Sequence, residues 1–200
     1  MFNKIDQARP LPQIETRNEK LSPWVTLQHR SVTAANGQVD VYHSLAQADY
    51  TSIVALTKDR HVVLVRQYRP AVNAYTVETP GGLAEDGEDV QDGILRELWE
   101  ETGYRAPGAP ILLGTTRPDI GRLGNWLHGF FVDNVELDPK ATREDGIESF
   151  IASAADVCDM IANGQINSAL HVWLLTQAAL RGHLPELLQA MANQNTEMKI

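Results

Sequence analysis

The stretch GGLAEDGEDVQDGILRELWEETGY, from Gly81 to Tyr104, restricts the possible folds more than any other part of the chain. It crowds Glu97, Glu100 and Glu101 into about one helical turn beside an apolar stripe. At about 100° per residue, Val90, Ile94 and Leu98 align on one face, Glu101 projects between Val90 and Ile94, and Glu97 lies just beside them. Glu100 sits on the shoulder. Like charges three and four residues apart destabilise a helix by about 0.2–0.5 kcal/mol per pair even in water. Half-buried, they cost more or take up protons. A hard divalent cation such as Mg²⁺ or Mn²⁺ removes the conflict, because clustered oxygens are the ligands it prefers. The competing reading is a solvated acidic face paired with Arg96.

The flanking sequence is mostly strand. WVTLQHRSV and NGQVDVYHSL read as a hairpin turning at Asn36-Gly37. SIVALTKDRHVVLVRQYR reads as two strands about a Lys58-Asp59 turn, the second covering Val62 to Val65. AYTVE is a short strand closed by Pro80-Gly81-Gly82. Asp86 and Gly87 precede the acidic helix, Glu88 and Asp89 occupy its first turn, and Gly103 suits a C-terminal cap. ILLGTT and WLHGFFVDNVEL read as strands around a loop bearing Arg117, Pro118, Asp119, Gly121 and Arg122. SAADVCDMIANG is a helix with a capping-box-like Ser153 and Asp156 and a stop at Gly164. NSALHVWLLTQAALRG reads as an amphipathic helix ending near Gly182, and PELLQAMANQ adds a final turn or two. The first twenty residues, punctuated by Pro10 and Pro12, read as an arm. Many strands with helices in the middle and at the end give an α+β or mixed-sheet layer fold.

The 200 residues suffice for one domain with a real core, and the net charge of -9 argues against a partner that is a nucleic-acid polymer. The charge does not exclude an anionic small molecule, since a metal or an arginine cluster reverses the local field. Cys158, the single cysteine, reads as a packed thiol. MFNKIDQARPLP has no apolar core of a secretory signal, and no apolar run is long enough for a bilayer, so a cytoplasmic protein without membrane contact is expected.

The spacing of the acidic stretch narrows the choice. Gly82 is followed after five residues by Glu88, and after seven more by Arg96-Glu97-Leu98. One residue further stand Glu100-Glu101, and one further Gly103-Tyr104. This resembles the signature box of the Nudix hydrolases at each fixed position, with Tyr104 standing where the family has an aliphatic residue. VVLVRQYR followed by ETPGG, and the later EDGIE and GQINSAL, are similar to the ADP-ribose and nucleotide-sugar pyrophosphatase branch.

The resemblance implies an α/β/α sandwich around a mixed sheet, with an N-terminal β-hairpin arm. It implies Glu97 and Glu101 as principal metal ligands, Glu100 close by, and the Gly81 carbonyl completing the shell. Arg96 and Glu88 are expected to brace the loop onto the helix, with Gly82 and Gly103 as structural members of the box. Arg69 resembles the family's phosphate contact, with Arg66 beside it; the bland alternative is two surface arginines. Glu78 either binds substrate or satisfies local amides. Arg117 and Arg122 are expected to reach phosphate or ribose oxygens, with Pro118 shaping the pocket. The catalytic base is expected in TREDGIES, at Glu144 or Glu148, with Asp145 between them; the alternative is a solvated acidic turn. The six histidines receive no role, and Trp173 and Leu174 are assigned to the core.

The implied activity is Mg²⁺-dependent hydrolysis of a nucleoside diphosphate sugar, ADP-ribose first, with Mn²⁺ as substitute. Other nucleotide sugars (GDP- or UDP-linked) or a nucleoside triphosphate are the nearest rivals, and a nucleotide-sensing domain without turnover is a rival of another class. Residues 1–50 are expected to form the arm and strands of a homodimer, 51–185 the Nudix hydrolase domain and 186–200 a C-terminal tail.

Overall fold

The structure, a computed structural model, describes residues 12–84 and 87–197, with only the backbone of 195–197. Pro10, Asp86 and the rest of the expected arm before Pro12 lie outside the described residues. The described residues form two compact units, one of 12–47 with 119–125 and one of 48–118 with 126–197.

In the smaller unit, β1 (Gln13–Lys20), β2 (Thr26–Thr33) and β3 (Val39–Ala46) make an antiparallel sheet in that order. The hairpin at Asn36-Gly37 forms as expected, with Gly37 at φ 84° where a side chain would be strained. The arm is more regular than expected: Gln13 pairs with Thr33 through to Lys20 with Thr26, so residues 13–20 are a third strand. Backbone pairing organises this polar segment, whose eight residues are all exposed, with Asn18 accepting from Gln28 at 3.4 Å and Glu19 meeting His29 at 3.2 Å. The segment 119–125 joins through Leu45, whose N–H donates to the Arg122 carbonyl at 2.8 Å.

In the larger unit, β10 (Ile147–Ala152), β5 (Val62–Arg69), β4 (Tyr50–Thr57), β9 (Leu127–Leu137) and β7 (Tyr104–Arg105) neighbour one another in that order. β6 (Ala74–Glu78) pairs with β5 and β8 (Ile111–Thr116) with β9. The sheet is mixed because β4 and β9 run parallel while the other pairs are antiparallel. Alternation along β4 feeds two cores. Ile53 and Ala55 pack with Val63, Phe130, Val132 and with Ile94 and Leu98 of α1 (Val90–Thr102). Val54 and Leu56 pack with Leu64 and Phe131 against α2 (Ala154–Ala162), α3 (Ala169–Leu180) and α4 (Pro185–Glu197). Helices therefore cover both faces, the α/β/α arrangement expected.

Some elements differ from expectation. Asp89 caps α1 by accepting from the Gln91 N–H at 2.8 Å, which leaves Glu88 before the helix, where it accepts from Arg96. α3 is enclosed more than an amphipathic helix would be. His171, Leu174, Leu175, Ala178 and Ala179 are buried, and Trp173 packs against the same core. The last stretch is a 13-residue helix instead of a turn or two, so residues 186–197, read as tail, are helical. Its cause is Leu184 and Leu187, both fully buried, with Arg60 donating to Glu186 at 3.1 and 3.0 Å and to the His183 carbonyl at 2.8 Å. Cys158 is buried as expected, and burial pushes its thiol up. Among the described residues no helix is long and apolar enough to cross a membrane.

Candidate active site

The glycine loop before α1 behaves as an extra strand on β4. The Thr51 N–H donates to the Gly82 carbonyl at 2.9 Å, Gly82 donates back to Thr51 at 3.1 Å, and Ile53 donates to the Pro80 carbonyl at 3.0 Å. A Cβ on Gly81 would strike the Thr51 carbonyl and lie 2.7 Å from Ser52 Cα, so only glycine lets the two backbones approach. A Cβ on Gly82 would lie 2.7 Å from the Glu97 carboxyl carbon, so this glycine admits the carboxylate. The loop is thus pressed between a core strand and the acidic face of α1.

Glu101 is 3% exposed and its Oε2 accepts from the Gly81 N–H at 2.9 Å. Burial pushes its carboxyl up to about 8, and the charges of Glu97 and Glu144 add to this against the Gly81 N–H. Burial also raises Glu97, opposed by Arg96. Arg96 does more than brace the loop. Its Nη1 donates to Glu97 and Glu100, both at 2.9 Å, while Nε and Nη2 donate to Glu88 at 3.1 and 3.2 Å. The bond to Glu88, ahead of the charge of Glu97, raises the guanidinium further. Gly103 closes α1 in the left-handed region at φ 77°, donating its N–H to the Trp99 carbonyl. Tyr104 packs against the α1 core, so the aromatic departure from the box is accommodated there.

The two expected base candidates differ in place. Glu144 donates its backbone N–H to the Glu100 carbonyl at 2.8 Å, and its charge acts on both Glu97 and Glu101. Glu148 pairs with Arg66 at 3.1 Å across β10 and β5. Arg66 lies over the Tyr75 ring, 4.3 Å from its centroid. Arg69 grips Glu78 with Nε at 2.8 Å and Nη2 at 2.6 Å. Glu78 meets neither local amides nor open solvent. It is 5% exposed and also accepts from Thr76 Oγ1 at 2.5 Å, with His171 Nε2 at 3.1 Å. Burial alone would raise its carboxyl, yet Arg69, His171 and Thr76 outweigh this and hold it well below the usual range. Arg117 stacks on Trp126, 3.3 Å from the ring centroid, whereas Arg122 belongs to the smaller unit and donates to the His43 carbonyl at 3.3 Å. Pro118 ends the larger unit's share of that loop.

His171 is the residue that sequence reading missed. It was given no role with the other histidines, yet it joins Glu78 on one side and Thr79 Oγ1, 2.8 Å from Nδ1, on the other. Thr79 Oγ1 lies 2.7 Å from Ser52 Oγ, which donates to the Pro80 carbonyl at 3.0 Å. No local pattern announces this contact, because α3 is far from β6 in sequence.

As they stand, no three His, Cys, Asp or Glu side chains among the described residues form a closed metal cage. The donor set nevertheless fits a hard divalent cation. Glu97, Glu100 and Glu101 offer only carboxylate oxygens, two of them raised by burial, with Arg96 paired to Glu97 and Glu100 and the charge of Arg69 acting on Glu101. Gly81 meets Glu101 through its N–H, a contact separate from the role expected of its carbonyl.

The model of the NUDIX domain matches residues 47–170. The chain belongs to the Nudix family. It is 39% identical over 80 residues to the methanol dehydrogenase activator of Bacillus methanolicus, covering 40% of this chain and 43% of that protein. It is 31% identical over 112 residues to the ADP-sugar pyrophosphatase of Mus musculus, covering 50% and 51%. The Nudix chain thus spans about half the length of the curated relatives it matches. A crystal structure of an ADP compounds hydrolase shares the fold, with a TM-score of 0.74 at 20% identity over 87% of this chain and 97% of that one.

Proposed function

We propose that this Nudix chain hydrolyses the pyrophosphate bond of a nucleoside diphosphate sugar with Mg²⁺, ADP-ribose giving AMP and ribose 5-phosphate. The observation that carries the reading is the packing of Glu97 and Glu101 against the Gly81-Gly82 loop, with Glu100 and Glu144 beside them. Glu97, Glu100 and Glu101 would hold the cation, which supplies charge neutralisation of the diphosphate and acidifies a water. Glu144 is the better placed proton acceptor, since Glu148 is committed to Arg66. Arg69 keeps Nη1 for a phosphate oxygen while Glu78 fixes its plane. Arg117 and Arg122 remain candidates for sugar or phosphate contacts. A two-fold homodimer through the smaller unit is part of the proposal. It is supported by the described residues 12–47, none of which is buried.

The test is paired kinetics on ADP-ribose, GDP- and UDP-sugars and dATP with product chromatography. ADP-ribose is expected to exceed dATP by at least about tenfold in kcat/KM, roughly 1.4 kcal/mol in the transition state. Glu101→Gln should stay folded, need more Mg²⁺ and lose about a hundredfold or more in turnover, roughly 2.7 kcal/mol. Equal hydrolysis of dATP would overturn the substrate class, and a Glu101→Gln variant with normal rates at limiting Mg²⁺ would overturn the metal assignment.

A further inference from the structure

The contacts of His171 run in series toward Glu101. Glu78 is a carboxylate and can only accept, so Nε2 of His171 carries a hydrogen and donates to it. Nδ1 then meets Thr79 Oγ1, which meets Ser52 Oγ, which holds the Pro80 carbonyl. The next residue is Gly81, whose N–H reaches Glu101. Glu78 and Thr79 are consecutive, so one imidazole fixes two successive side chains at the entry to the glycine loop. Thr79 is 2% and His171 9% exposed, so water cannot readily replace these bonds. The backbone pairing to Thr51 and Ile53 sets the distance of the loop from β4, whereas the His171 series sets how Glu78 and Thr79 lead into it.

We infer that His171 is a positioning residue, which through Glu78 and Thr79 holds the Gly81 N–H against Glu101 and so orients that carboxylate for a divalent cation. The inference rests on the reading of Glu97, Glu100 and Glu101 as the cation-holding set. It makes α3 a support of the site although no α3 residue belongs to the signature box. Outer partners of this kind typically change metal affinity by about 10–100-fold when removed.

The test compares wild type, His171→Leu, His171→Gln and Thr79→Val in the 200-residue chain. Backbone amide exchange at Gly81 is read by NMR against core amides at Val54 and Leu64, and Mn²⁺ binding by electron paramagnetic resonance titration. In His171→Leu, protection of Gly81 should fall at least about tenfold relative to the core amides. Mn²⁺ affinity should fall about tenfold or more in the same variant. His171→Gln, which keeps a donor for Glu78, should recover part of both losses. Thr79→Val should move both readouts in the same direction, and His171→Leu/Thr79→Val should be no worse than His171→Leu alone. If His171→Leu does not fold, Thr79→Val, which trades a hydroxyl for a methyl, decides the matter. The inference is overturned by Gly81 protection that stays within about twofold or falls only in step with the core. It is also overturned by lost protection with undiminished Mn²⁺ affinity. A wild type that binds no Mn²⁺ would instead sink the metal reading, and amide protection would then decide the His171 contact alone.

Discussion

β2 and β4 are both eight-residue strands with a neighbour on each side, yet their interiors differ completely. In β4 the six residues Thr51 to Leu56 are buried, while in β2 not one residue is. Central position in a sheet therefore does not bury a strand; a second layer does. β4 is YTSIVALT, apolar on both faces, and has α1 on one side and α2, α3 and α4 on the other. β2 is TLQHRSVT, and the described residues of the smaller unit include no helix to cover it. Its sheet relies on the backbone ladder and on cross-strand pairs such as Leu27 with Leu45, each worth roughly 0.2–1 kcal/mol.

The contrast is broken most forcefully at Phe130, 1% exposed on β9 beside Ile53 of β4 and in the cluster with Ile94 and Leu98 of α1. Phe130→Ala should cost about 3–5 kcal/mol in urea or guanidinium unfolding. A loss below about 1 kcal/mol would mean that the α1 face is not the packed layer described.

An intermediate effect is expected at Glu78, the buried carboxylate where strand and site meet. Glu78→Gln should cost roughly 1–3 kcal/mol at neutral pH, because Arg69 and His171 lose their charged acceptor. The folded group titrates below its ordinary 4.5, so its contribution is present above that pH and lost as pH falls toward the folded value. Wild type and variant should therefore converge in stability on acidification below about pH 4.5. A gap that stays constant from pH 7 to pH 3 would contradict the ionised assignment.

The smallest effect belongs to the smaller unit. Val41 is 57% exposed, and Val41→Thr should change protomer stability by no more than about 0.5 kcal/mol. Measured by light scattering, the same change should weaken the proposed homodimer, and a wild type that returns only the 22.2 kDa protomer at micromolar concentration would remove the dimer. Amides of β2 should also exchange ahead of those of β4, since their bonds face solvent.

What could be read from the chain follows the same divide. The acidic box was legible because Glu97, Glu100 and Glu101 lie on one helix, where spacing alone fixes their common face. Burial of β4 and β5 was legible in their continuous apolar runs. β1 was not, since QIETRNEK has no alternation and only a partner strand makes it extended. The Arg69–Glu78 clamp needs the register of β5 on β6, and His171 needs the packing of α3, neither of which a linear pattern contains. The docking of α4 needs the burial of Leu184 and Leu187 and the hold of Arg60, in the β4–β5 turn, on Glu186 and the His183 carbonyl, contacts between segments distant in sequence.

The parallel pairing of β4 with β9 has a consequence for synthesis. Tyr50 meets Leu127, so β5, β6 and α1 all lie within the loop that this pair closes. Long-range closure of this kind slows folding, because chain entropy is lost before the contact forms. On a ribosome the carboxylates of α1 emerge before β9 can seal the central sheet, and well before His171 follows with α3. The acidic helix is thus complete while Phe130, Val132 and Val135, its core partners on β9, are still to be added to Ile53, Ala55 and Val63.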